Sequence, residues 1–271
     1  MGGRVAVKFA YDGTRFMGSQ RQPGVRTVEG ELIAALVKIG AMTSPEQDRF
    51  QVASRTDRGV SALGNVFAVD TDFRRQELLA ALNASCRDVH CYALADVLDS
   101  FSPRRAKGRW YRYHLPYRGQ DISLMRACAG EFQGRHEFRL FCKSEGRVTT
   151  RTLDSASLSL DGDTVVIDLR AREFLRNMVR RIVSALDQVG QGRATLEEVR
   201  SALLGSGRTL GLARPEGLFL MDVDHGLRMC PGPLGPLPER LEEERRSAQL
   251  AMRFYRALQE NVGLAFHCPD D

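Results

Sequence analysis

Metal-ligand spacing is missing from this sequence. Its six cysteines, Cys86, Cys91, Cys128, Cys142, Cys230 and Cys268, include no CxxC pair, and no histidine stands beside them at a ligand spacing. That argues against a zinc site and against a disulfide framework. No GxxxxGK(S/T) phosphate loop is present, and Gly190-Gln191-Gly192 follows a helical pattern instead of a strand, which argues against a dinucleotide site. A GxSxG elbow and an HExxH pair are also missing, and the five histidines sit in unrelated contexts. No apolar run is long enough to span a bilayer. Met1 to Arg4 leads into a strand pattern with no apolar signal core, so a reduced, cytoplasmic protein without a membrane partner is expected. Lysine is scarce as well, with only Lys8, Lys38, Lys107 and Lys143. Nearly all the positive charge is therefore arginine, whose planar fork suits phosphates and whose flat face stacks on bases. A GC-rich genome would produce the same bias.

What remains is ordinary in amount and informative in arrangement. The 271 residues are 43% hydrophobic and 27% charged, with a net charge of +5, a mild lean toward a polyanionic partner. Val5, Val7 and Phe9 alternate as in a strand, and Thr27 can cap a helix whose apolar face is Val28, Leu32, Leu36 and Ile39. Strands over 50–53, 66–69 and 92–97 and a helix over 76–83 complete a first α+β unit, residues 1–105. A second unit, 106–228, holds strands over 110–115, 156–160, 165–169 and 218–223, and a helix over 122–129. Its strongest helical stripe is Leu175, Val179, Ile182, Leu186 and Val189, stopped by Gly190. The pattern predicts an α+β fold of two subdomains, each with an antiparallel sheet, flanking a central cleft. Residues 229–271 read as a Pro/Gly linker followed by a charged helix over 239–259, with Leu241, Ala251, Phe254 and Leu258 on its apolar side.

The most informative stretch is Ser54-Arg55-Thr56-Asp57-Arg58-Gly59, which puts one carboxylate between two arginines on a tight turn. Charge-paired and poorly solvated, Asp57 would be a usable nucleophile; a solvated surface turn is the bland alternative. Alternation puts Tyr111 and Tyr113 on one strand face and Trp110 and Arg112 on the other. The tyrosines read either as half-buried sheet residues or as a platform for a base, with Arg104, Arg105, Lys107 and Arg109 nearby for phosphates. Arg172, Arg176 and Arg180 are spaced by four and would share one helical face, for which a purely solvated surface is the bland alternative. Arg180 lies close to the buried side, where it calls for an anionic partner. The polar loop 16–22 offers Gln20 and Arg21 for hydrogen bonding to a nucleic acid.

Together these segments resemble the TruA-type tRNA pseudouridine synthases. The matching pieces are Tyr11-Asp12-Gly13-Thr14 with Gly18 and Gln20-Arg21-Gln22, Arg55-Thr56-Asp57 with Gly59-Val60, Tyr111-Arg112-Tyr113, Met178-Val179-Arg180 and Pro215-Glu216-Gly217-Leu218. They occur in the family's order over about residues 4–225. The resemblance implies the pseudouridine synthase fold, with ferredoxin-like subdomains, and isomerisation of uridines in the anticodon stem–loop of tRNA. It implies a homodimer and neither a metal nor an organic cofactor. It makes Asp57 the catalytic aspartate, Arg55 the arginine beside the active-site loop, Tyr111 the tyrosine that packs against the target base, and Arg180 the partner of the carboxylate. Gln20, Arg21, Arg58, Arg104, Arg105, Arg109, Arg172 and Arg176 are the candidate RNA-binding residues. Ser19 stands where bacterial members commonly carry Trp, Ser54 and Ser61 replace a Gly and a His that often flank the turn, and Arg58 replaces a small residue. The tail beyond His225 exceeds a minimal member.

Overall fold

In the computed structural model, residues 2–146 and 148–265 are described, so Cys268 and the end of the tail lie outside them. The first half of the chain runs β1 (Gly3–Tyr11), α1 (Val28–Lys38), β2 (Gln51–Val52), β3 (Ser61–Thr71), α2 (Arg75–Ser85) and β4 (Val89–Asp96). The second runs β5 (Gly108–Pro116), α3 (Ile122–Glu131), β6 (Gly134–Glu137), β7 (Thr150–Leu153), β8 (Ser155–Asp161), β9 (Thr164–Ala171), α4 (Met178–Gly190), α5 (Leu196–Leu203) and β10 (Leu218–Asp224). A short β11 (Cys230–Pro231) and the long α6 (Leu237–Ala265) follow.

The two halves share one sheet. Its strand order is β11-β4-β1-β3-β10-β5-β9-β8, with β2 added beside β3. Every pairing in it is antiparallel except the junction, where Phe219 and Leu220 of β10 lie parallel to Ser61 and Ala62 of β3. Alternation drives the second half. Tyr111, Tyr113 and Leu115 of β5 and Val165, Ile167, Leu169 and Ala171 of β9 all turn to the buried face. Each large aliphatic side chain buried this way stabilises by about 1.5–3 kcal/mol. Trp110, Arg112, Asp168 and Arg170 take the other face, where Arg112 and the Trp110 indole both donate to the Asp168 carboxylate.

The cap read from the sequence is present, Thr27 Oγ1 accepting from Gly30 N, and Thr195 adds a reciprocal capping box with Glu198. Two elements differ from expectation. The helix after β9 starts at Met178, because Asn177 sits at φ 64° and breaks the helical path. The β6–β7 hairpin was not legible, since Gly-Arg-His-Glu and Thr-Arg-Thr-Leu carry no apolar alternation.

The tail helix docks only at its start. Leu237 is 2% exposed, Arg240 donates to the carbonyls of Asn83 and Cys86, and Glu244 pairs with Arg15. Phe254 and Leu258, expected to pack inward, are 63% and 44% exposed. Among the described residues no helix is long and apolar enough to cross a membrane. Truncation before Leu237 is expected to lower folding stability by about 3 kcal/mol in denaturant unfolding, from one lost apolar anchor and two hydrogen bonds. Truncation after Arg246 removes only exposed residues of the helix through Val262, and should leave stability within about 0.5 kcal/mol.

Candidate active site

Asp57 stands in the loop between β2 and β3, immediately before the parallel junction. Short hydrogen bonds hold that loop in shape. Ser19 N and Ser19 Oγ donate to Thr56 O at 3.1 and 3.2 Å, while Thr56 N donates to Ser19 Oγ at 2.7 Å. The Tyr11 hydroxyl and Thr56 Oγ1 share a hydrogen bond of 2.7 Å, and burial raises the Tyr11 phenol above its ordinary range. Gly13 N donates to Ser61 Oγ at 3.0 Å, and Gly59 N donates to Gly13 O at 3.3 Å. Gly13 is required by this approach, because a Cβ there would lie 2.0 Å from Val60 O. Gly59, at φ 83°, makes the turn itself. Ser19, Ser54 and Ser61, which depart from the residues common in the resembled family, each hold this loop by hydrogen bonds.

The charges facing Asp57 are not its sequence neighbours. Arg55 and Arg58 are exposed and form no ion pair among the described residues. Arg180 Nη1 instead lies 3.5 Å from Asp57 Oδ2, and Arg176 Nε lies 3.7 Å from Oδ1. Exposure ranks the two. The Arg176 side chain is 51% exposed and shares its guanidinium with Glu145 at 2.5 Å, so its pair with Asp57 is worth about 0–1 kcal/mol. The Arg180 side chain is 13% exposed and is fixed by donating from Nε to Ala213 O at 2.8 Å. Arg180 is the dominant partner.

The expected helical face of Arg172, Arg176 and Arg180 is corrected here. Only Arg180 is helical; Arg176 precedes the left-handed Asn177, and Arg172 follows the end of β9. The bend at Asn177 is what lets Arg176 and Arg180 meet the same carboxylate.

These groups line a cleft of about 1280 Å³. That exceeds a usual small-molecule pocket and suits a segment of a polymer. Ala62, Leu220 and Tyr111 form one row across β3, β10 and β5, which carries Tyr111 into the same cleft. Tyr111 is 7% exposed and meets Phe174 edge-on at 5.1 Å. Burial pushes its phenol up to about 12, so it stays neutral at ordinary pH. Tyr113 does not join it: its hydroxyl donates to Arg214 O, and its ring packs against Gly217.

Of the other candidates, Gln20, Arg21, Arg55, Arg58 and Arg104 line the cleft with exposed side chains. Arg109 lines it too, but its guanidinium is committed to protein acceptors. Arg172 lies in an adjoining pocket of about 300 Å³ with Arg135 and Arg151. Arg105 is exposed and belongs to neither lining. Lys143 and Glu145 enter the cleft from the loop joining β6 to β7 and were missed. Their one signal was that Lys143 is among only four lysines.

Comparison with known proteins decides the family. The family described as tRNA pseudouridine synthase matches residues 128–225. A curated protein of Pyrococcus abyssi named tRNA pseudouridine synthase A is 44% identical over 226 residues, 82% of this chain and 84% of that one. The chain belongs to the tRNA pseudouridine synthase A family. Proteins of the same name from Pyrococcus furiosus and Methanoculleus marisnigri are 43% and 37% identical, covering 82% and 85% of this chain and 84% and 86% of theirs. The enzyme is thus an isomerase that forms pseudouridine in tRNA, on the pseudouridine synthase fold.

Two substitutions probe the site's construction. Gly13→Ala should cost about 1–3 kcal/mol of stability through overpacking against Val60, read by denaturant unfolding, and should slow the reaction as the loop shifts. Arg180→Gln removes the partner of Asp57 and is expected to slow single-turnover isomerisation by about a hundredfold, with a smaller effect on tRNA affinity.

Proposed function

We propose that the enzyme isomerises uridines of the anticodon stem–loop, in the cytoplasm and as a homodimer, with Asp57 as its essential carboxylate. The observation that carries the catalytic assignment is the placement of Asp57 in a large cleft, ion-paired to the sequestered Arg180, with Tyr111 in the same lining. The stem–loop target and the dimer rest on the family resemblance in the motifs around Asp57, Tyr111 and Arg180, and the cytoplasmic location on the tRNA substrate.

Forming pseudouridine breaks the N1–C1′ bond, rotates the base and joins C5 to C1′. The hydrogen on C5 leaves as a proton and N1 gains one, so the reaction is redox-neutral. A carboxylate beside the breaking bond can add to the sugar, add to the base, or assist removal of a sugar proton. Arg180 orients that carboxylate and offsets its charge while it is withdrawn from water by the substrate. Tyr111, neutral and rigidly packed, supports the base once it leaves the helical stack. Arg55, Arg58 and Arg104 are exposed on the cleft without ion pairs among the described residues, so their donors are available to RNA phosphates.

Pseudouridine mapping on unmodified tRNA transcripts tests this reading. Wild-type enzyme should give signal in the anticodon arm, and Asp57→Asn should abolish it while tRNA affinity stays within a few-fold. Equal activity of Asp57→Asn would contradict the assignment, and signal confined to another arm would move the substrate site. Arg55→Ala with Arg58→Ala should weaken tRNA binding and lower the slope of log affinity against log salt by about two. An unchanged slope would remove both from the interface.

A further inference from the structure

Arg109 is the second residue of β5, two before Tyr111 and on the same strand face. It has the wrong surroundings for a phosphate ligand. Its Nε donates to Ser54 Oγ at 2.9 Å, Nη1 to Arg172 O at 2.5 Å, and Nη2 to Ala53 O and Arg104 O, both at 3.2 Å. These bonds use four of the five N–H groups a guanidinium has. No carboxylate pairs with it among the described residues, and burial lowers its pKa from the ordinary value. A half-buried cation whose hydrogen bonds all go to carbonyls and a hydroxyl, with Glu173 acting on it only through space, carries a desolvation cost that no direct ion pair offsets. Such an arrangement gains geometry, because the rigid fork fixes the directions of all four acceptors.

The acceptors lie on three separate segments, two of which bear the facing charges of the active site. Ala53 and Ser54 lead directly into Arg55-Thr56-Asp57. Arg172 begins the stretch that reaches Arg176, Asn177 and Arg180. Ser54 is held from its other side by the fully buried Asn65, whose amide accepts from Ser54 N at 3.3 Å and donates to Ser54 O at 2.9 Å. The guanidinium therefore spans the gap between the carboxylate's segment and the arginines' segment. The ion pairs it brackets are long, at 3.5 and 3.7 Å, so a small relative shift of the two segments decides whether they form.

We propose that Arg109, acting with Ser54, is a positioning residue for the isomerisation: it sets the Asp57 loop against the segment carrying Arg176 and Arg180, and does not bind RNA phosphate. The proposal rests on Asp57 being the catalytic carboxylate.

The test is Arg109→Lys, Ser54→Ala and the double variant, compared with wild type in single-turnover rate at saturating tRNA, tRNA affinity and its salt dependence. Lysine keeps the charge but cannot reach four acceptors on three segments. Arg109→Lys should slow the saturated rate by about a hundredfold, as an ångström of misplacement does. Its affinity should stay within about threefold, with an unchanged salt slope. Ser54→Ala should slow the same step less, and the double variant should be no slower than Arg109→Lys, because both act on one clamp. An unchanged saturated rate in folded Arg109→Lys would overturn the proposal, since a merely structural role lowers stability and leaves that rate alone. Weakened affinity and a slope reduced by about one, with the saturated rate intact, would make Arg109 a phosphate contact instead. Should Arg109→Lys fail to fold, Ser54→Ala decides by the same readouts. Asp57→Asn, run alongside, separates the two levels: activity there would overturn the underlying reading, whereas an inactive Asp57→Asn with a normal Arg109→Lys would overturn only the clamp.

Discussion

Two residues of β3 lie parallel to two residues of β10, and that short junction sets where the cleft can be. The Asp57 loop ends at the first of them, Ser61. One strand beyond β10 lies Tyr111, in the row that starts at Ala62. Neighbouring strands are spaced by about 4.8 Å, so the row fixes the loop and the aromatic ring at nucleoside-sized separation without a dedicated linker. The remaining wall comes from the chain after β9, which turns at Asn177 and brings α4 with Arg180 over the loop. Each of the three walls thus belongs to a different part of the chain, and none is complete alone.

The charge arrangement follows from that assembly. Asp57 is supplied by the first half of the chain, while Arg176 and Arg180 come from the second. Neither half has the ion pair by itself. Arg180 is sheltered and Arg176 is exposed and shared with Glu145, so the two contacts differ in burial more than in length. A substrate entering the cleft would exclude water from both and strengthen the sheltered one most. Around this centre, exposed arginines without acidic partners contrast with Arg109, whose donors are spent on protein. The same residue type thus has its donors either open to the cleft or spent on construction, and only the hydrogen-bond partners separate the two.

Much of this was legible in the sequence because the signals were local. Alternation put Tyr111 with Tyr113 on one strand face, opposite Trp110 and Arg112, and the Asp57-Arg58-Gly59 turn is encoded by residues that tolerate it. The contribution of Arg176 was not legible as such. Spacing by four suggested one continuous helical face, and a single left-handed residue, Asn177, redirected the chain. The loop with Lys143 and Glu145 escaped notice because its flanking strands, β6 and β7, carry one apolar residue between them, Leu153, and no periodic signal. The packing of the tail was overread: amphipathic periodicity reports a face able to be buried, and among the described residues the helix meets this chain from Leu237 to Glu244.

In the proposed reaction a tRNA uridine is converted in the cleft where the two halves meet. A crystal structure of the Asp57→Asn protein bound to unmodified tRNA tests it most directly. It should show a uridine drawn out of the helical stack, its base against Tyr111 and its C1′ beside position 57, with the RNA backbone along Arg55, Arg58 and Arg104. RNA anchored on another surface, with this cleft empty, would contradict the account.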